Sequence, residues 1–197
     1  MIQRLAILAS GNGTNAQRLM EHFSGHHSIR VEFVLSNRSD AYVLERARKM
    51  NIPSVVFSHN DLYKTGHVLD ILSVQGIDWL ILAGFLWLIP SSLLTLYPNR
   101  IINIHPALLP GYGGKGMYGM KVHQAVLENR EKESGISIHF VNEHYDEGLI
   151  IFQARCPVNP GDTPETLAER IHQLEYRWYP EVVEKTVTSR QPAVGNH

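Results

Sequence analysis

The sequence predicts an α/β protein with a mostly parallel sheet, helices on both faces and antiparallel strands toward its C-terminal part. Three observations carry that expectation. Five short runs rich in Val, Ile and Leu lie at residues 5–9, 31–35, 54–57, 79–83 and 101–104, and each reads as a strand covered on both faces. Segments of helical character separate them, at residues 15–23, 41–50, 62–75 and 90–96. Two further runs, 136–141 and 149–154, read as an antiparallel edge or hairpin. Strand and helix alternating in this way wind a Rossmann-like sheet, whose ligands bind at the carboxyl ends of the strands.

The first run ends in Ser10-Gly-Asn-Gly-Thr-Asn15, and a helical segment follows at once. Small residues at a strand-to-helix turn let the backbone approach a ligand and aim N–H groups at an anion. The third glycine of the dinucleotide fingerprint is missing and no Gly-Lys-Ser/Thr follows, so neither a nicotinamide site nor a P-loop fits. A tight turn capped by Thr14 or Asn15 is the alternative. Asp40 and Asp61 precede two later helical segments as N-caps. The apolar stretch 79–89 is interrupted by Gly84 and closed by Pro90, which makes it a buried strand and its exit rather than a membrane span.

After the fifth run comes Asn103-Ile-His105-Pro. Period-two alternation points Asn103 and His105 to one side of the strand. An amide can donate to a developing oxyanion, and imidazole moves protons near neutral pH, so the pair suits acyl transfer. A histidine that merely satisfies a backbone carbonyl is the alternative. Pro106 and Pro110 stiffen the exit, and the glycine-rich stretch 110–119 reads as a lid ahead of a helix near 122–129. The loop Asn142-Glu-His-Tyr-Asp146-Glu-Gly148 offers a carboxylate that could orient an imidazole, although Asp-Glu-Gly is also an ordinary turn signal. A final helix starts behind Asp162-Thr163-Pro164 and runs toward residue 187, with Pro180 expected to kink or break it. Residues 189–197 have no periodicity and read as a frayed tail beyond a single domain spanning 1–188.

Composition narrows the function classes. At 197 residues and 44% apolar content the chain can bury a full core. Lys plus Arg number 18 against 19 Asp plus Glu, which leaves no basic stripe for nucleic acid and no polybasic membrane patch. Cys156 is the only cysteine, so no internal disulfide forms, and no leader precedes the first strand; the cytoplasm is the expected address. The histidines show neither His-Glu-x-x-His nor a Cys/His cluster, and no metal is expected.

Taken jointly, these loops resemble the formyltransferase family that uses 10-formyltetrahydrofolate, from the first strand to Pro180. Ser10-Gly-Asn-Gly-Thr-Asn15 is similar to its ribonucleotide phosphate loop, Leu82-Ala-Gly-Phe85 to its folate-side strand end, Asn103-Ile-His105-Pro to its catalytic core and Asp146-Glu-Gly148 to its carboxylate loop. The resemblance implies that Asn103 holds the formyl oxygen, that His105 acts as general acid or carries positive charge, and that Asp146 raises the His105 pKa. It further implies that Gly11, Asn12, Gly13, Thr14 and Asn15 hold phosphate and ribose, that Glu175 contacts the ribonucleotide, and that backbone groups of Leu86, Trp87, Leu88 and Ile89, with Asn103, line the pterin pocket.

The implied activity is direct formyl transfer to the amine of glycinamide ribonucleotide in de novo purine biosynthesis, with formyl folate as co-substrate. Its partners would be small molecules, for a monomer or homodimer. Three alternatives share part of this pattern: a 10-formyltetrahydrofolate hydrolase, which adds an N-terminal domain; a methionyl-tRNA formyltransferase, which adds a tRNA-binding domain; and a non-catalytic nucleotide-binding module. The chain departs from the family at Trp87 and near Asn60, where basic residues are common, and in a longer 113–120 segment carrying Lys115, expected as a lid or glutamate-tail contact.

Overall fold

The computed structural model describes residues 2–189. In chain order the elements are β1 (Gln3–Leu8), α1 (Thr14–His22), β2 (Ile29–Ser36), α2 (Tyr42–Lys49), β3 (Ser54–Val56), α3 (His59–Tyr63), α4 (His67–Val74), β4 (Trp79–Leu82) and α5 (Ser91–Leu96). They continue with β5 (Ile101–His105), α6 (Met120–Glu128), β6 (Glu133–Phe140), β7 (Ile150–Pro157) and α7 (Pro164–Thr188).

The strands form one sheet in the order β3-β2-β1-β4-β5-β6-β7. The first five pair in parallel, and β6 and β7 join antiparallel. From β1 the chain winds outward to β3 and then returns to place β4 on the other side of β1. The order therefore reverses between β1 and β4, which opens a crevice at their carboxyl ends. Alternation along β1 divides the core: Leu5 and Ile7 pack with Leu19, Val43, Ile171 and Tyr179 on one face, and Ala6 and Leu8 with Leu62, Leu72 and Leu93 on the other. Burial on both faces explains why these runs are uniformly apolar.

Three local expectations change. Residues 62–75 form two helices rather than one, because Gly66 adopts a left-handed φ of 75° that an α-helix cannot continue. Asp61 is not the N-cap of its helix. Ser58 takes that place, and Asp61 completes a capping box, accepting the Ser58 N–H at 2.8 Å while its own N–H donates to Ser58 Oγ at 3.2 Å. Asp40 is not a cap either; its carboxylate pairs with Arg38, and Ala41 opens α2 without a side-chain bond.

The last helix begins as expected, with Thr163 capping and Pro164 in the first turn. It does not break at Pro180. Tyr179, Val182 and Val183 are buried around that position, and the Tyr179 hydroxyl donates to the carbonyls of Leu82 at 2.8 Å and Ile102 at 3.3 Å. This packing offsets the roughly 3 kcal/mol that an interior proline costs a helix. It also ties α7 across the ends of β4 and β5, which sets Glu175 one turn earlier over the crevice. Of the expected tail, residues 190–197 lie outside the described residues.

Candidate active site

A cleft of about 650 Å³ opens at the carboxyl ends of β1, β4 and β5. Gly11, Asn12, Gly13, Thr14, Asn15, Leu86, Asn103, His105, Asp146 and Glu175 all line it. Residues that are far apart in sequence thus share one cavity.

The loop after β1 is shaped from outside. Val43 N–H donates to the Gly11 carbonyl at 3.1 Å, and Arg46 on α2 donates from Nε to the Asn12 carbonyl and from Nη2 to Asn12 Oδ1, both at 2.8 Å. With the carbonyls drawn away, the N–H groups of Gly11, Asn12 and Gly13 have no partner among the described residues. Such a row of free donors at a helix N-terminus suits an anion. Neither Thr14 nor Asn15 caps α1, whose N-cap is Gly13 at a left-handed φ of 74°. Ser10 links this loop to the one after β4, since its Oγ accepts from Leu86 N–H at 3.0 Å and its own N–H donates to Gly84 O at 3.0 Å.

At the other end of the cleft, β5 presents Asn103 and His105. His105 is buried, and its Nε2 donates to the Tyr112 carbonyl at 2.8 Å. That bond leaves Nδ1 as the position that gains a proton, 3.5 Å from Asp146 Oδ2. Asp146 Oδ2 also accepts the Gly114 N–H at 3.0 Å, and Asp146 Oδ1 faces the Asn103 amide nitrogen at 3.4 Å. Tyr112 and Asp146 each hold a left-handed φ of 58°, a conformation that non-glycine residues seldom adopt.

His139, which sequence reasoning passed over, completes the cluster. It sits opposite Asn103 on β6, almost fully buried, with Nε2 3.1 Å from Asn103 Nδ2 and 3.6 Å from Asp146 Oδ1. A signal existed: in Ile136-Ser-Ile-His-Phe, polar residues alternate with core residues.

Electrostatics depart from one expectation. Burial pushes the His105 pKa below its ordinary value, outweighing Asp146, which favours the protonated form. Burial works to raise the Asp146 carboxyl, yet its polar neighbours, among them His105 and the Gly114 N–H, hold it below the usual carboxylate range. Glu175, fully enclosed, is raised by burial to about 7, although Asn15 Nδ2 donates to it at 3.0 Å. Buried His123 is pushed down to about 4 by burial and by nearby His172 and His105, and its Nδ1 has no partner.

His123 makes a testable contribution to acid sensitivity. Its folded-state pKa of about 4 lies below the roughly 6.5 of an unfolded chain. The unfolded chain therefore takes up more protons, and stability falls as pH drops from about 6.5 toward about 4. Urea unfolding of His123→Gln should show a shallower loss over that window than the parent. Parallel curves for the two proteins would refute it.

The expected pterin-side residues divide. Leu86 lines the cleft with Phe85. Trp87 instead packs among Phe57, Phe85, His59 and Tyr63, the Leu88 carbonyl accepts from the Tyr63 hydroxyl at 2.6 Å, and Ile89 is core. Of the four, only Leu86 is among the residues that line this cleft. Asn60 is exposed on α3, and Gly114 to Gly119 border the cleft with Lys115 among them.

Comparison with known proteins places this geometry among relatives. The family model described as "Formyl transferase" matches residues 3–183. The chain is 44% identical over 187 residues to the chloroplastic phosphoribosylglycinamide formyltransferase of Arabidopsis thaliana, covering 92% of this chain and 64% of the plant protein, less than two thirds of its length. It is 35% identical over 187 residues to the phosphoribosylglycinamide formyltransferase of Haemophilus influenzae, covering 92% and 86% of the two chains. Among solved structures, glycinamide ribonucleotide transformylase 1 from Symbiobacterium toebii superposes with a TM-score of 0.85 at 38% identity, covering 94% of this chain and 88% of that one.

Proposed function

The chain belongs to the formyl transferase family, and on that premise we propose that it is a phosphoribosylglycinamide formyltransferase, moving a formyl group from 10-formyltetrahydrofolate to the amine of glycinamide ribonucleotide. The observation that carries this is the meeting, in one cleft, of a loop of free N–H donors and a cluster in which buried His105 and half-buried Asn103 and Asp146 face one another. A substrate with a phosphate at one end and an amine at the other could engage both.

Several features fit the two ligands. The free N–H groups of Gly11, Asn12 and Gly13 suit the phosphate. Glu175, raised by burial to about 7, carries less negative charge beside it near neutral pH than an ordinary carboxylate would. Asn15 Oδ1 and His123 Nδ1 are buried in the cleft wall without partners, as polar atoms that a ligand completes. Phe85 and Leu86 supply an apolar wall for a flat ring.

In this reading the amine nitrogen attacks the formyl carbon, and its new bond forms as charge gathers on the formyl oxygen. Asn103 donates to that oxygen. His105 starts neutral, and a proton at Nδ1 is stabilised by Asp146 beside it. The bond from carbon to the folate nitrogen then breaks, and the proton lost by the amine ends on that nitrogen. The test is a coupled assay of the purified chain with both ligands: formylated ribonucleotide is the expected product, and formate alone would assign the chain to hydrolysis.

Two glycines separate binding from folding. A Cβ on Gly11 meets nothing within 4 Å, whereas one on Gly13 overlaps the Val43 side chain and comes within 2.9 Å of Val43 Cα at a left-handed φ. Gly13→Val therefore strains the protein before it crowds a ligand. Gly11→Ala should keep the parent melting temperature and weaken ribonucleotide binding on the order of tenfold, the loss of about one charge-assisted hydrogen bond. Folate affinity should not change. Titration calorimetry showing both ligands weakened alike would remove the assignment of separate ends.

A further inference from the structure

We infer that His139 is a positioning residue for Asn103: its Nε2 holds one amide N–H of Asn103, so that the second N–H is the one presented to the reacting oxygen. The inference rests on the role proposed for Asn103 and adds what orients it.

A chain of hydrogen bonds, its direction set at the Phe140 end, holds the Asn103 amide. Phe140 O lies 2.8 Å from His139 Nδ1. A carbonyl only accepts, so Nδ1 carries the proton. A ring whose only proton sits at Nδ1 has a lone pair at Nε2, 3.1 Å from Asn103 Nδ2. An amide nitrogen only donates, and the contact therefore decides which way round the Asn103 amide sits. Its NH2 group faces β6, and its carbonyl oxygen faces away.

The second N–H is held far less firmly. Its neighbour is Asp146 Oδ1 at 3.4 Å, near the limit of a hydrogen bond. The other carboxylate oxygen is engaged by Gly114 N–H at 3.0 Å and faces His105 Nδ1 at 3.5 Å. An oxyanion arriving at the cleft thus competes against a long contact. Without His139, the amide would be free to rotate and turn its oxygen toward the ligand, where a lone pair would repel the developing charge. Backbone pairing enforces the arrangement, since Asn103 and His139 are register partners on β5 and β6. Burial keeps water from substituting for the imidazole, because His139 is 2% exposed.

The experiment compares His139→Phe, which keeps a ring but has no acceptor, with His139→Gln, whose Oε1 can accept. His139→Phe should lower kcat on the order of 10- to 100-fold, less than the 10²- to 10³-fold typical of deleting an oxyanion donor, with KM for both substrates within about threefold. His139→Gln should recover part of the loss. On an Asn103→Ala background, His139→Phe should cost no more than about threefold further, because its effect passes through a side chain already gone. Should His139→Phe fail to fold, His139→Asn serves, as its shorter side chain falls short of Asn103. Full turnover in the His139 variants, or losses that multiply in the double variant, would overturn the inference. Full turnover in Asn103→Ala would instead remove the catalytic assignment and this inference with it.

Discussion

Asp146→Asn should fold and bind the ribonucleotide yet turn over on the order of 10²- to 10⁴-fold more slowly, the range of a general acid–base contribution. The substitution keeps size and removes charge at a point where three groups converge: His105 Nδ1 at 3.5 Å, His139 Nε2 at 3.6 Å and the Gly114 N–H at 3.0 Å. Burial alone pushes the His105 pKa down, and Asp146 is the charge that opposes this. Removing it drives the His105 pKa lower still, so the limb of the pH–rate profile that reports His105 protonation should move to lower pH. His105→Asn should cost a similar factor. Because the pair works as a unit, the double variant should lose far less than the product of the two single losses. Single losses that multiply, or full turnover in folded Asp146→Asn, would end the proposed coupling. Linkage supplies a further check. The Asp146 carboxyl is held below its unfolded value of about 4, so its stabilisation is present above that pH and is lost as pH falls through the folded value. Asp146→Asn should therefore narrow its stability gap to the parent in strong acid.

Gly148→Ala should destabilise the protein by about 3 kcal/mol, the upper end of overpacking, and lower its melting temperature on the order of 10 °C. A Cβ at Gly148 would overlap the Phe140 carbonyl oxygen and lie 2.7 Å from its carbon. These are backbone atoms of β6, at the turn where Phe140 N–H donates to Leu149 O at 2.9 Å, and they have no rotamer by which to move aside. Relief comes only by shifting the loop that carries Asp146 two residues earlier. Stability and turnover should accordingly fall together, which differential scanning calorimetry and a kcat measurement on the same sample will show. A variant with parental stability would mean that the loop opens away from β6 at little cost.

These two residues illustrate different degrees of legibility. The Asp-Glu-Gly sequence marked a loop with a carboxylate, because turn chemistry is local. That its glycine lies against the Phe140 carbonyl depends on β6 and β7 being neighbours in the sheet. Likewise the alternation in Asn103-Ile-His105 put two polar side chains on one side of β5, since side-chain direction along a strand repeats every two residues. His139 was not found, although Ser137 and His139 alternate with core residues. Its contact with Asn103 requires the antiparallel register of β5 and β6, and register belongs to two strands together.

Helices tell the same story. Apolar spacing located all the long ones, while the left-handed Gly66 that splits residues 62–75 and the packing that carries α7 through Pro180 involve a single backbone dihedral and a set of distant contacts. The standing of Trp87 is also tertiary: its ring joins Phe57, His59 and Tyr63 rather than the cleft. The sign of the His105 shift falls in this group too. A neighbouring carboxylate can be anticipated from a motif, but the burial that outweighs it exists only once β5, β6 and the 110–119 segment close around the ring. By itself the sequence determined the strands, their order along the chain, the glycine loop and the side of β5 that carries the chemistry, because each follows from patterns a few residues long. Only the tertiary structure decided the register that adds His139, the burial that sets the charge states and the wall of the cleft, because these depend on pairings and desolvation between segments that the chain brings together from far apart.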